Sequence, residues 1–163
     1  MSQNGTGAPS IVEESIEVGV PVSTAYNQWT QFEEFPRFME GVESVKQLDD
    51  KRLHWVAQIG GRKNEWDAEI TQQQPDQVIA WRATGGKQNA GEVRFESEGA
   101  DRTRIDVHLT YEASGLVETL GGAVGADRRR VRGDLERFKE LLEERGQESG
   151  AWRGEIAGGK VEQ

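Results

Sequence analysis

Apolar and polar residues alternate along most of the central chain, in short runs separated by turn residues. Near the start, "IVEESIEVGVP" places Ile16 and Val18 in alternation and predicts a strand that Pro21 ends. Ser23 then suits an N-cap for a short helix to about Thr30, with Tyr26 and Trp29 on one face. Pro36 is placed to begin a second short helix. Phe35, Phe38, Met39 and Val42 fall three and four apart and make its apolar side.

Six strand-like runs follow: "SVKQL", "LHWVAQI", "EWDAEIT", "VIAWRA", "GEVRFE" and "TRIDVHLTYE". Each linker carries the Gly, Asp, Asn or Pro of a turn, and such meander lengths predict antiparallel pairing. One face of this sheet collects Leu53, Trp55, Ala57, Ile59, Trp66, Ala68, Ile70, Ile79 and Trp81. It continues through Val93, Phe95, Ile105, Val107, Leu109 and Tyr111. The other face is polar and carries His54, Glu65, Asp67, Glu69, Arg82, Arg94, Arg104 and His108. A sheet with one apolar face must cover it. The cover predicted here is a helix from Gly115 to about Arg145. Its Leu116, Leu120, Val124, Val131, Leu135, Phe138 and Leu142 lie within about 60° of one line at the helical period.

The fold class expected is α+β. A curved antiparallel sheet of about seven strands wraps around a long C-terminal helix, with two short helices after the first strand. Residues 1–10 read as a flexible lead, 11–145 as one ligand-binding domain, and 146–163 as a flexible tail with Trp152 and Ile156 as docking points. A curved sheet gripping a single helix leaves space between them, and the Phe-rich short helices would plug one end of that space.

Composition narrows the function classes. A net charge of −9 argues against nucleic acid as a partner. The absence of cysteine removes thiolate chemistry and thiolate metal sites, and agrees with a cytoplasmic, reducing setting. No apolar run approaches a transmembrane length, and "MSQNGTGAPS" lacks the order of a signal peptide. Both histidines fall on the polar face, so neither a general base in the interior nor a metal site is expected, and no cofactor is implied.

The interior offers other chemistry. Trp55, Trp66 and Trp81 point inward from neighbouring strands, as packed core or as cavity lining. Asp127 and Arg128 interrupt the apolar stripe of the long helix. Two readings stand: the pair leans to the helix edges and reaches water, or it borders a wet cavity. In the second case Arg128 would hold a carboxylate or quinone oxygen and Asp127 would act as a base. "GLVETLGGAVGA" is either a loop before a shorter helix or a gate for a ligand, since glycine loosens a helix. "RRRVR" reads as a solvated helix face, because acidic neighbours flank its fanned arginines.

The order of elements, with "IEVGVPVSTAYNQWTQFEEFPRFMEGVESV", "EWDAEITQQQPDQVIAWRATGG", "GEVRFE", "TRIDVHLTYE" and "GLVETLGGAVGADRRRVRGDLERFKELLE", resembles the START-like superfamily, also called SRPBCC or helix-grip. Within it the chain looks like the polyketide cyclase/dehydrase and coenzyme-Q-binding branch. The resemblance implies a hydrophobic cavity between sheet and helix that binds a small molecule such as a lipid, quinone or polyketide-like compound. The alternative it carries is a cyclase/dehydratase-type enzyme, with Asp127, Arg128 and Tyr111 as candidate catalytic groups. The residues expected to line the cavity are Phe35, Phe38, Met39, Trp55, Trp66, Trp81, Val93, Phe95, Val107, Tyr111, Leu120, Val124, Asp127 and Arg128.

Overall fold

A computed structural model describes residues 10–59, 61–85, 89–111 and 123–162. The elements run β1 (Ser10–Val18), α1 (Val22–Trp29), a 3₁₀ helix (Phe32–Arg37), β2 (Val42–Gln47), β3 (Arg52–Ile59), β4 (Arg62–Gln74) and β5 (Val78–Gly85). They continue as β6 (Asn89–Gly99), β7 (Arg102–Tyr111), α2 (Ala123–Arg145), β8 (Glu155–Ala157) and β9 (Lys160–Glu162). Among the described residues nine strands form one antiparallel sheet, ordered β1-β7-β6-β5-β4-β3-β2, with β8 and β9 added beside β4. The expected class stands, with two strands more than the pattern predicted. Register shifts at Asp67/Ala68 and Ile70/Gln72 interrupt the β4–β5 ladder, and such bulges bend a strand.

The alternation sorts the faces as expected. Leu53, Trp55, Ala68, Ile70, Ile79, Val93, Phe95, Ile105 and Val107 are buried in one cluster with Leu135, Phe138 and Leu142 of α2. The long helix begins at Ala123. Its expected start at Gly115, with Leu116 and Leu120, lies outside the described residues.

The short helices differ from their prediction. Pro21, not Ser23, holds the N-cap position of α1, and among the described residues no side-chain cap bond forms there. Pro36 sits inside a 3₁₀ helix that starts at Phe32, and Val42 opens β2 instead of extending a helical face. The reason is the period. A 3₁₀ helix has three residues per turn, so Phe32, Phe35 and Phe38 stack along one side. Their rings meet edge to face at 5.4 Å each, from Phe32 to Phe35 and from Phe35 to Phe38. Gly41, at φ 92°, then turns the chain into β2.

Trp29 of α1 gathers these rings. It meets Phe35 at 5.5 Å, Phe95 of β6 at 6.3 Å and Phe138 of α2 at 4.9 Å, while Phe138 also meets Phe38 at 4.8 Å. One contact set therefore joins the short helices, the sheet and the long helix. Asp134 and Arg137 of α2 close the same corner. The Asp134 carboxylate accepts from the Glu40 N–H at 2.9 Å, and Arg137 donates to the Phe38 carbonyl at 2.9 Å.

The segment after α2, expected to be a flexible tail, is instead a strap. The Ser149 N–H donates to Gln28 Oε1 at 2.8 Å and the Trp152 N–H to Thr30 Oγ1 at 3.1 Å. Ile156 pairs with Gln73 and is fully buried. The strap finds a free ladder because β4 continues past its register with β3, which ends at Glu69. This also makes strand of "QQQ", expected to be turn. Pairing with β5 on one side satisfies its backbone, and propensity yields to it. α1 is consequently covered on both sides: Thr24, Asn27 and Gln28 are buried along with Tyr26 and Trp29.

Two outcomes check this packing. Trp81 lies across Gly91 on the neighbouring strand, where a Cβ would fall 2.3 Å from Trp81 Cζ2. Gly91→Ala should cost about 1–3 kcal/mol through overpacking, read by urea denaturation. Ile156→Ala should cost about 2–5 kcal/mol in the same assay, the loss of a core residue. A change below about 0.5 kcal/mol, as for a surface substitution, would contradict the strap.

Candidate functional site

The inward face divides into two parts. Around Trp29 the space is filled: Phe35, Phe38, Phe95 and Phe138 are nearly inaccessible and their rings are committed to one another. Val93 and Val107 are buried in the same cluster. Further along the sheet the wall opens. Trp66, Trp81, Leu109 and Val131 are apolar but only partly buried, as are Met39 and Val42.

An aromatic step links the two parts. Trp55 on β3 and Trp66 on β4 are directly paired across the strands. Their rings lie 5.7 Å apart and 7° from parallel. Phe35 meets the Trp55 ring at 5.6 Å. Trp81 extends the wall onto β5 because Gly91 leaves room for its ring. The structure thus brings together Phe35, Phe38, Trp55, Trp66, Trp81, Val93, Phe95 and Val107 of the expected lining, with Met39 at its border. Leu120 and the side chains of Tyr111, Val124 and Asp127 lie outside the described residues.

Arg128 is exposed and does not join this wall. It faces Glu14 of β1 at 3.4 Å, and Arg132 faces the same carboxylate at 3.7 Å. Glu14 is the residue that pattern reading passed over. It occupies an inward position between Val12 and Ile16, paired with Val107, and its side chain is only 11% exposed. The signal was present: a carboxylate standing where the alternation of β1 calls for an apolar residue.

These groups border a cleft of about 630 Å³ at the β1 edge, a space distinct from the aromatic wall. The cleft is charged but internally balanced. Besides the Glu14 pairs, Arg104 faces Asp106 at 3.0 Å and His108 faces Glu13 at 3.4 Å. Paired charges of this exposure are weak attractors, and of these pairs the two on Glu14 link α2 to β1.

The other polar clusters are peripheral to the wall. His54 lies on the outer face between Asp67 at 2.7 Å and Glu65 at 3.0 Å. Its pKa is raised, first by the hydrogen bond to Asp67 and then by that to Glu65. Among the described residues no group of three or more His, Asp or Glu side chains is arranged to hold a metal ion. Beneath the strap, Arg153 donates to Asn27 at 2.7 Å and to Asp76 at 2.9 Å. Its guanidinium also stands 5.6 Å from the Tyr26 ring centre. Burial pushes the Tyr26 hydroxyl up to about 12. Asp76 holds a left-handed backbone, φ 65°, in the β4–β5 turn after Pro75. No described helix is long and apolar enough to cross a membrane.

The aromatic wall can offer an apolar surface with ring faces for stacking and few polar groups, the usual make-up of a small-molecule pocket. Comparison with known proteins places the fold. Residues 18–140 match the family described as polyketide cyclase/dehydrase and lipid transport. An uncharacterized 17.2 kDa protein of Streptomyces lincolnensis is 51% identical over 148 residues, 90% of this chain and 99% of that one. A crystal structure from Deinococcus radiodurans is 32% identical with a TM-score of 0.66, covering 84% of this chain and 99% of that one. The Zhui aromatase/cyclase of Streptomyces sp. R1128 is similar in fold, with a TM-score of 0.70 at 18% identity over 88% of this chain and 99% of that one. With its one-sided antiparallel sheet closed by a C-terminal helix, the chain belongs to the polyketide cyclase/dehydrase and lipid transport family and has the START-like helix-grip fold.

Proposed function

We propose that this protein binds or carries a small hydrophobic molecule, of lipid, quinone or polyketide-like character, against the inward wall of Trp55, Trp66 and Trp81. The observation that carries the reading is the partial burial of Trp66, Trp81 and Leu109 on a face whose other half is sealed. Apolar side chains left half covered beside a finished core are a surface awaiting an apolar partner. Covering them releases about 25 cal/mol per Å². Family membership supports the same class of ligand.

The test is uptake of a neutral apolar probe, N-phenyl-1-naphthylamine, followed by quenching of tryptophan emission, alongside native mass spectrometry of the purified protein. Saturable one-to-one binding is expected. Trp66→Ala should weaken it about three- to tenfold, the worth of one aromatic contact, with a small change in Tm. Absence of both saturable uptake and a co-purifying apolar mass would refute the reading.

A second reading, an enzyme of cyclase/dehydratase type, has one observation in its favour: the inward Glu14 carboxylate held by Arg128 and Arg132. Under that reading the wild type converts a linear poly-β-ketone and Glu14→Gln loses at least about a hundredfold in rate, the usual worth of a positioned acid or base. Equal product profiles with and without protein would leave binding alone.

A further inference from the structure

Trp55 carries a polar atom that packing does not use. The residue is 8% exposed, and its ring packs against Phe35 at 5.6 Å and Trp66 at 5.7 Å. The indole nitrogen, a donor only, is buried and has no hydrogen-bond partner among the described residues. A buried donor without an acceptor is costly, and stacking alone gives no reason for it, since phenylalanine would fill a stack without adding a polar atom. Tyr26, Gln73 and Asp76 also bury unpartnered polar atoms. Those sit together beneath the strap, where Gln73 and Arg153 are near enough to act on the Tyr26 hydroxyl. Trp55 stands instead on the inward face of β3, beside the half-exposed Trp66.

We propose that the indole N–H of Trp55 is the hydrogen-bond anchor of the interior, selecting an apolar ligand that presents an acceptor oxygen over a hydrocarbon of the same shape. The inference rests on the hydrophobic-ligand reading above and adds to it a residue and a chemical requirement. The two stacked indoles set the place of the ligand's apolar body, and the N–H sets the position of its oxygen. Because the Trp55 ring is already packed against Phe35 and Trp66, its donor loses little side-chain freedom on binding.

A matched pair of probes tests this: 2-acetylnaphthalene, with C=O, and 2-isopropenylnaphthalene, with C=CH₂ in its place. The full-length protein should bind the ketone about tenfold more tightly, the worth of satisfying one buried donor. Trp55→Phe should bind both at the level of the alkene. In ¹H–¹⁵N spectra, one indole resonance, missing from Trp55→Phe, should move with the ketone and stay with the alkene. If the wild type binds both probes equally and that resonance does not move, Trp55 is not the anchor, while hydrophobic binding stands. If neither probe binds, the reading beneath falls and the anchor with it. Should Trp55→Phe fail to fold, the wild-type affinity ratio and the resonance, assigned through the backbone, decide the matter.

Discussion

The contact between Trp29 and Phe138 holds this molecule together. At 4.9 Å it joins a short helix near the start of the chain to the long helix near its end. The sheet's Phe95 and the 3₁₀ helix's Phe35 and Phe38 close around the pair. Edge-to-face packing suits this many rings at one point, because positive ring edges meet negative faces. Everything beyond the knot follows its placement. α2 is pinned at Phe138, so one half of the apolar sheet is sealed and the other half is left to the tryptophan wall.

That division gives the protein a rigid end and a receptive one. The rigid end is reinforced from outside by the C-terminal strap, whose hydrogen bonds satisfy the polar side of α1 while Ile156 seals the sheet. Polar groups such as Gln28 are stable in the interior because the strap brings partners to them; without partners each would destabilise the fold. The receptive end needs a different economy. Its tryptophans stack on one another or lie over glycine, and Trp66 and Trp81 are only partly buried. The charged cleft at the β1 edge belongs to neither end: its ions are mutually paired, and those on Glu14 link α2 to β1.

The candidate site was partly legible from the chain. The inward tryptophans of β3, β4 and β5 follow from period-two alternation, and Phe35 and Phe38 from their spacing. What pattern could not separate was lining from filling. Phe35 and Phe38 are consumed by the aromatic knot, while Trp66 and Trp81 remain half open, and both sets look alike as apolar positions. Arg128 suited either the helix edge reaching water or a wet cavity. Glu14, remote in sequence, settles its partner.

The sequence by itself determined the antiparallel order, the one-sided sheet and the apolar stripe of the covering helix. Those depend on local periods, which each segment carries whatever surrounds it. Only the tertiary structure decided that the polar end of the chain becomes a strap, that "QQQ" pairs as strand, and that the N–H of Trp55 is buried without an acceptor among the described residues. Each of those depends on a partner far along the chain, or on its absence. Whether a buried polar group is satisfied is a property of the assembled neighbourhood, not of any segment within it.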